Sequence, residues 1–158
     1  MHQSEKAGKG HRKGATILVI EDNKDQWAFI QRALEATFAD FKPIWVPNVQ
    51  QAIEYLTDCQ KIGLRLPYLI LLDLYLPERE VGWQLLEQIR SLDDPIGQLP
   101  IILLSSSDDK DDITHSYERG ITSYIIKPTN YPAWVESFQT LKEYWLDTVS
   151  LPGSSSYF

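Results

Sequence analysis

The chain has little sulfur: one cysteine, Cys59, and one methionine. A lone cysteine cannot close an internal disulfide, and a half-buried helix thiol explains it better than a nucleophile does. Histidine is scarce as well. His2, His11 and His115 have no ligand spacing with Cys59, so a zinc site has no motif. Positive charge is in deficit, with a formal net charge of -7. That excludes nucleic-acid binding through a broad basic face. No apolar stretch approaches membrane-spanning length. The positive N-terminus has no apolar region behind it, so there is no secretion signal. These gaps lead us to expect a soluble, cytoplasmic protein with no membrane contact and no direct nucleic-acid contact. The 158 residues, 43% of them hydrophobic, suit one well-buried domain.

Residues 1–14 are polar, glycine-containing and mildly basic, and are expected to form a disordered leader. Their glycines and lysines look superficially like a phosphate loop. Such a loop follows a strand and opens a helix, whereas this stretch precedes the first strand. The domain is expected over 15–149, with 150–158 as a C-terminal tail.

The most informative stretch is Leu69 to Pro77, LILLDLYLP. A continuous apolar run of this length predicts a strand buried on both faces. Asp73 then stands where the strand leaves the core. Four other runs share this form: Ala15 to Ile20, ending in Glu21-Asp22; Ile44 to Val46; Ile101 to Leu104, ending in Ser105; and Tyr124 to Ile126, ending in Lys127-Pro128. Helical spacing separates them. Trp27, Ile30, Leu34 and Phe38 mark one helix over about Lys24 to Ala39. Ala52, Ile53 and Leu56 mark another after an Asn48 N-cap. Leu85, Leu86 and Ile89 mark a third, and Gly120 should end a short fourth. Pro132 suits the first turn of a last helix reaching about Val149. Alternation of strand and helix predicts an α/β fold: a doubly wound five-stranded parallel sheet with helices on both faces. Its expected strand order is the flavodoxin-like 2-1-3-4-5.

In such a sheet the C-terminal strand ends share one edge, where ligands bind. Glu21, Asp22, Asp73, Ser105 and Lys127 would converge there. Three carboxylates carry a charge that Lys127 offsets only in part, and a divalent cation would offset the remainder. Oxygen ligands of this kind suit Mg2+. Glu21 and Asp22 then hold the metal, leaving Asp73 as a carboxylate nucleophile towards phosphorus. Lys127 neutralises charge on the transferring group, and the Ser105 hydroxyl can donate to a phosphoryl oxygen.

With those residues in that order, the sequence resembles the receiver domain of response regulators in two-component signalling, over about 16–149. The resemblance implies that Asp73 is the phosphoacceptor, supplied by a sensor histidine kinase. It implies an acidic pair in Glu21 and Asp22, and a metal-directed backbone carbonyl at Tyr75. It makes Ser105 the switch hydroxyl, Tyr124 the switch aromatic, and Pro128 the end of a cis peptide with Lys127. Such a protein is a phosphorylation-controlled switch, not an enzyme acting on other molecules. The stretches DLYLP, LPIILLSSS and EYWLDTVSLP resemble single-domain regulators paired with cyanobacterial phytochrome kinases, which implies a phytochrome-type partner. Between Pro77 and Gly82 the loop is longer than the family's usual one and lacks its usual aspartate.

Two other functions fit less well. A Mg2+-dependent phosphatase with an aspartyl-phosphate intermediate would carry an acid two residues after the nucleophile, where this chain has Tyr75. A pseudo-receiver that binds partners without phosphorylation would not need the full residue set. A switch without an output domain must act by binding. Tyr124, Tyr131, Val135, Tyr144, Leu146 and Leu151 are the expected partner surface. A twofold homodimer through the fourth helix, fifth strand and fifth helix would use it.

Overall fold

The structure, a computed structural model, describes residues 14–148 and the side chains through Leu146. The expectations placed on 1–13 and 149–158, Leu151 among them, lie outside these residues.

Five strands alternate with five helices: β1 (Thr16–Ile20), α1 (Lys24–Thr37), β2 (Lys42–Val46), α2 (Val49–Ile62), β3 (Leu69–Asp73), α3 (Arg79–Arg90), β4 (Ile101–Ser105), α4 (Lys110–Glu118), β5 (Ser123–Ile126) and α5 (Tyr131–Lys142). The strands form one parallel sheet in the order β2-β1-β3-β4-β5. Register places Ile20 beside Leu72, Asp73 beside Leu104, and Ser105 beside Ile126, so the three functional strand ends lie along one edge.

Side chains alternate across the sheet with a period of two. Ile17, Val19, Leu69, Leu71, Ile102 and Leu104 pack under α1 and α5, against Ile30, Leu34, Trp134 and Phe138. Leu18, Ile20, Ile70, Leu72, Ile101 and Leu103 pack under α2 and α3, against Leu56, Leu85, Leu86 and Ile89. Each such buried aliphatic side chain contributes about 1.5–3 kcal/mol. Side-chain caps start four helices just beyond the strand ends. Asn23 caps α1, Asn48 α2, Asp109 α4 and Asn130 α5, each accepting a first-turn backbone N–H.

At the opposite edge, the half-buried Arg90 guanidinium at the end of α3 donates to three carbonyls. Nε reaches Gly120 O at 2.7 Å; Nη1 reaches Leu99 O at 2.6 Å and Gly97 O at 3.2 Å. Burial lowers its pKa from the ordinary arginine value.

Four expectations need correction. β2 begins at Lys42 and includes Pro43, which an edge strand tolerates because one side of it has no ladder to fill. α3 begins at Arg79, ahead of Gly82. A Cβ on Gly82 would lie 1.9 Å from Leu74 O, so the helix opens in close contact with the chain after β3. α5 ends at Lys142 and continues as a π-helical turn, Glu143–Thr148. In that wider turn, residues five apart share a face. Leu146 therefore joins Leu141 in the core and is buried, not exposed as the sequence suggested. Finally, Lys127–Pro128 is trans. The cis bonds among the described residues are Leu76–Pro77 and Asp94–Pro95. The intrinsic preference of a prolyl bond is only about 0.5–1 kcal/mol, so surrounding structure selects the isomer.

Candidate functional site

The acidic end of β3 and the chain leaving β1 meet at the C-terminal edge of the sheet. Asp73 is the last residue of β3 and is 4% exposed; Glu21 follows β1 and is 1% exposed. Asp22 beside it is exposed. Carboxylate oxygens of Glu21, Asp22 and Asp73 all lie within 4.8 Å of one another. Lys127, following β5, bridges the two buried acids. Its Nζ lies 3.2 Å from Asp73 Oδ1 and 3.3 Å from Glu21 Oε2. The backbone fixes the lysine, since Lys127 N–H donates to Ser105 O at 2.7 Å.

The charges here are incompletely compensated. Burial and the neighbouring Asp73 push the Glu21 carboxyl up to about 7, against the pull of Lys127. Burial also raises Asp73, although Lys127 lowers it and Glu21 hydrogen-bonds to it. Around neutral pH the two carboxyls can therefore hold a proton between them. A divalent cation would displace that proton. Three converging carboxylates, one of them open to solvent, are a hard-oxygen donor set suited to Mg2+. The backbone assists: Glu21 O accepts from Trp45 Nε1 at 2.7 Å, and Glu21 Oε1 accepts from Asn23 N–H at 3.2 Å. Trp27 stacks on Trp45 with ring centroids 5.6 Å apart.

Ser105 ends β4 and is fully buried; its Oγ accepts from Ser107 N–H at 3.1 Å. Tyr124 in β5 is half-buried, and its hydroxyl donates to Ser107 O at 2.8 Å. The two residues expected to act as the switch thus meet at the β4–α4 connection. Tyr75 is 40% exposed, and its hydroxyl runs to Asp112 of α4 at 2.9 Å. Among the expected partner-surface residues, Tyr144 is 54% exposed. Tyr131 and Val135 are half-buried and pack on the α1–α5 core, with the Arg32 guanidinium 4.6 Å above the Tyr131 ring.

Sequence reading missed Asp112 and Arg79. Arg79 Nη1 donates to Asp112 Oδ1 at 2.7 Å, and the pair is 33 residues apart in the chain. A faint signal existed: Asp112 and Ser116 occupy one face of α4 at helical spacing and are both buried.

This fold, with three acids and a lysine at its C-terminal edge, defines a receiver domain. The response regulator receiver domain family matches residues 17–139, and the chain belongs to that family. The chain is a phosphorylation-controlled signalling switch by descent.

Particular relatives sharpen the placement. The chain is 32% identical over 137 residues to the probable methanogenesis regulatory protein FilR2 of Methanothrix harundinacea, covering 87% of each. It is 30% identical to response regulator Rcp1 of Synechocystis over 87% of this chain and 93% of that protein. The phosphorylated cyanobacterial phytochrome response regulator RcpA shares 34% identity at a TM-score of 0.76, covering 88% of this chain and 99% of that chain. The Mn2+-bound form of Rcp1 matches at a TM-score of 0.72 and 29% identity, covering 87% of this chain and 99% of that chain. The match disfavours both the phosphatase and the pseudo-receiver readings.

Proposed function

We propose that Asp73 accepts a phosphoryl group from the phosphohistidine of a sensor kinase, and that the resulting aspartyl phosphate is the signal. The N–P bond of the donor breaks, an Asp73 Oδ–P bond forms, and the histidine leaves with its electron pair and takes up a proton. The carrying observation is Lys127 Nζ set between Asp73 and Glu21, with three carboxylates gathered around one point.

Each side chain has a task. Asp73 attacks phosphorus in line. Lys127 balances negative charge on the transferring group. Glu21 and Asp22 would hold Mg2+ together with Asp73 and the Tyr75 carbonyl, and the cation would supply further charge neutralisation. Ser105 donates its hydroxyl to a phosphoryl oxygen, and Tyr124 follows the resulting shift of the β4–α4 connection. The protein then catalyses only its own phosphorylation and dephosphorylation.

Likeness to RcpA and Rcp1 supports a phytochrome-type kinase as donor, in the cytoplasm. No helix among the described residues is long and apolar enough to cross a membrane. The net charge of -7 supports signalling through protein rather than nucleic acid. A groove of about 420 Å3 between β5 and α5, lined by Ser123, Ile125, Ala133, Thr140 and Tyr144 among others, supports a homodimer through α4, β5 and α5. Tyr124 borders that face, whereas Tyr131 and Val135 pack on the α1 side of α5 and lie outside the groove.

Phosphotransfer from a panel of histidine kinases, read by intact mass, tests the function. One added phosphoryl group that requires Mg2+ is the expected result. No uptake from any kinase or from acetyl phosphate would remove the reading. Sedimentation equilibrium with and without beryllofluoride tests the dimer, which a monomer under both conditions would reject.

A further inference from the structure

Asp112 lies in the first turn of α4, and its side chain is only 3% exposed. Its carboxylate is fully engaged. Oδ2 accepts from the Tyr75 hydroxyl at 2.9 Å and Oδ1 from Arg79 Nη1 at 2.7 Å. Burial pushes this carboxyl up, but hydrogen bonds from Arg79, Ser107 and Tyr75 outweigh it and bring the pKa below the ordinary value. Both long partners arise directly after the acceptor. Tyr75 is two residues past Asp73, and Arg79 opens α3.

A second layer locks the same junction. The Arg79 guanidinium rests 4.6 Å from the centre of the Trp83 ring. Trp83 Nε1 donates to Ser116 Oγ at 3.0 Å, and Ser116 Oγ donates to Asp112 O at 2.6 Å. The segment after β3 is thus fastened to α4 by both the side chain and the backbone of Asp112.

Topology gives this fastening a position. β4 lies between β3 and β5, and α4 follows β4. A side chain that starts beyond the end of β3 and finishes on the first turn of α4 reaches the β4–α4 connection, which Ser105 and Ser107 begin. Ser107 stands near enough to Asp112 to help lower its pKa, its N–H bonds Ser105 Oγ, and its carbonyl accepts the Tyr124 hydroxyl. Tyr75, Asp112, Ser107 and Ser105 thus form one linked set beside the strand ends that carry Asp73 and Ser105.

We propose that Asp112 is a positioning residue: it anchors Tyr75 across the α4 side of the acceptor and so sets how long a phosphoryl group survives on Asp73. The inference rests on Asp73 being the acceptor. Hydrolysis needs a water to reach phosphorus in line; its oxygen bonds phosphorus, the Asp73 Oδ–P bond breaks, Asp73 regains its carboxylate and a water proton is released. A ring held at both ends narrows that approach, and a ring released at its hydroxyl swings clear.

The test follows phosphate loss by intact mass after phosphorylation with acetyl phosphate and Mg2+. It compares the unaltered protein, Asp112→Asn, Tyr75→Phe and the double variant. Each single change should speed loss about tenfold, the scale of one hydrogen bond to a charged group. The double variant should be no faster than the faster single, because the Tyr75–Asp112 bond is already lost or weakened in each. Unchanged decay in the singles, or multiplied effects in the double, would overturn the inference. Ile30→Val destabilises α1 without touching this junction and should keep the original lifetime; equal acceleration there would show that lifetime follows stability alone, and would also overturn it. If the unaltered protein takes no phosphate, the functional reading itself has failed.

Discussion

Two places in this molecule bury a carboxylate near the C-terminal edge of the sheet, and they are balanced differently. At Asp112, a guanidinium, a phenol and a serine satisfy the charge, and its pKa falls. At Glu21 and Asp73, one ammonium serves two buried acids beside a third, and both pKa values rise. All three are closed off from solvent, but Glu21 and Asp73 lie deeper, so desolvation and the shortage of partners act together there. A satisfied buried acid holds elements together. An unsatisfied group of acids retains an appetite for positive charge, which a cation or a phosphoryl-metal unit can meet.

The largest expected effect tests the unsatisfied side. Asp73→Asn should abolish phosphoryl uptake from acetyl phosphate, read by intact mass; a variant still gaining one phosphoryl group would sink the assignment. Next comes pH. The folded Glu21 pKa of about 7 lies above its ordinary 4.5, so the folded chain binds more protons than the unfolded one between these values. Metal-free stability from this group is therefore full below about 4.5, falls as pH rises to about 7, and is flat beyond. The loss is on the order of 3 kcal/mol. Urea midpoints of metal-free protein across that window should show it; Mg2+ or Glu21→Gln should flatten it. An unchanged slope in Glu21→Gln would assign the loss to other groups.

The satisfied side should respond with the opposite sign. Asp112→Asn should destabilise the protein by about 1–3 kcal/mol, because it weakens two hydrogen bonds and leaves Arg79 unbalanced. Glu21→Gln should leave metal-free stability equal or higher at pH 8. Equal losses from both, by urea denaturation, would erase the contrast. The smallest effect is expected at Tyr124→Phe. It removes one hydroxyl contact to Ser107 O and should cost about 0.5–1.5 kcal/mol in the same assay. A larger loss would mean the hydroxyl does more than close the β4–α4 connection.

The contrast also separates what could be read from the sequence. The LILLD run announces a strand with both faces covered, and the acids at two strand ends meet because parallel strands finish on one edge. Those are local patterns. The partners of Asp112 lie 33 and 37 residues away and follow no periodicity, so the junction emerges only in three dimensions. The same holds for Leu146. An α-helical reading projects it outward, and only the π-helical turn brings it in. The Lys127–Pro128 isomer was inferred from family likeness, and local sequence does not select it.

Arg90 fastens α3, the segment before β4 and the turn after α4 at the far edge of the sheet. The far end of α4 is therefore held through the backbone at Gly120, and its near end through the Asp112 side chain. With its C-terminal end pinned through Gly120, α4 has no freedom to slide along the sheet. Its available motion is a tilt about that fixed point, as of a lever on a fulcrum. Breaking the Asp112 contacts to Tyr75 and Arg79 would then free the N-terminal end of α4 to move most, while Gly120 stays in place.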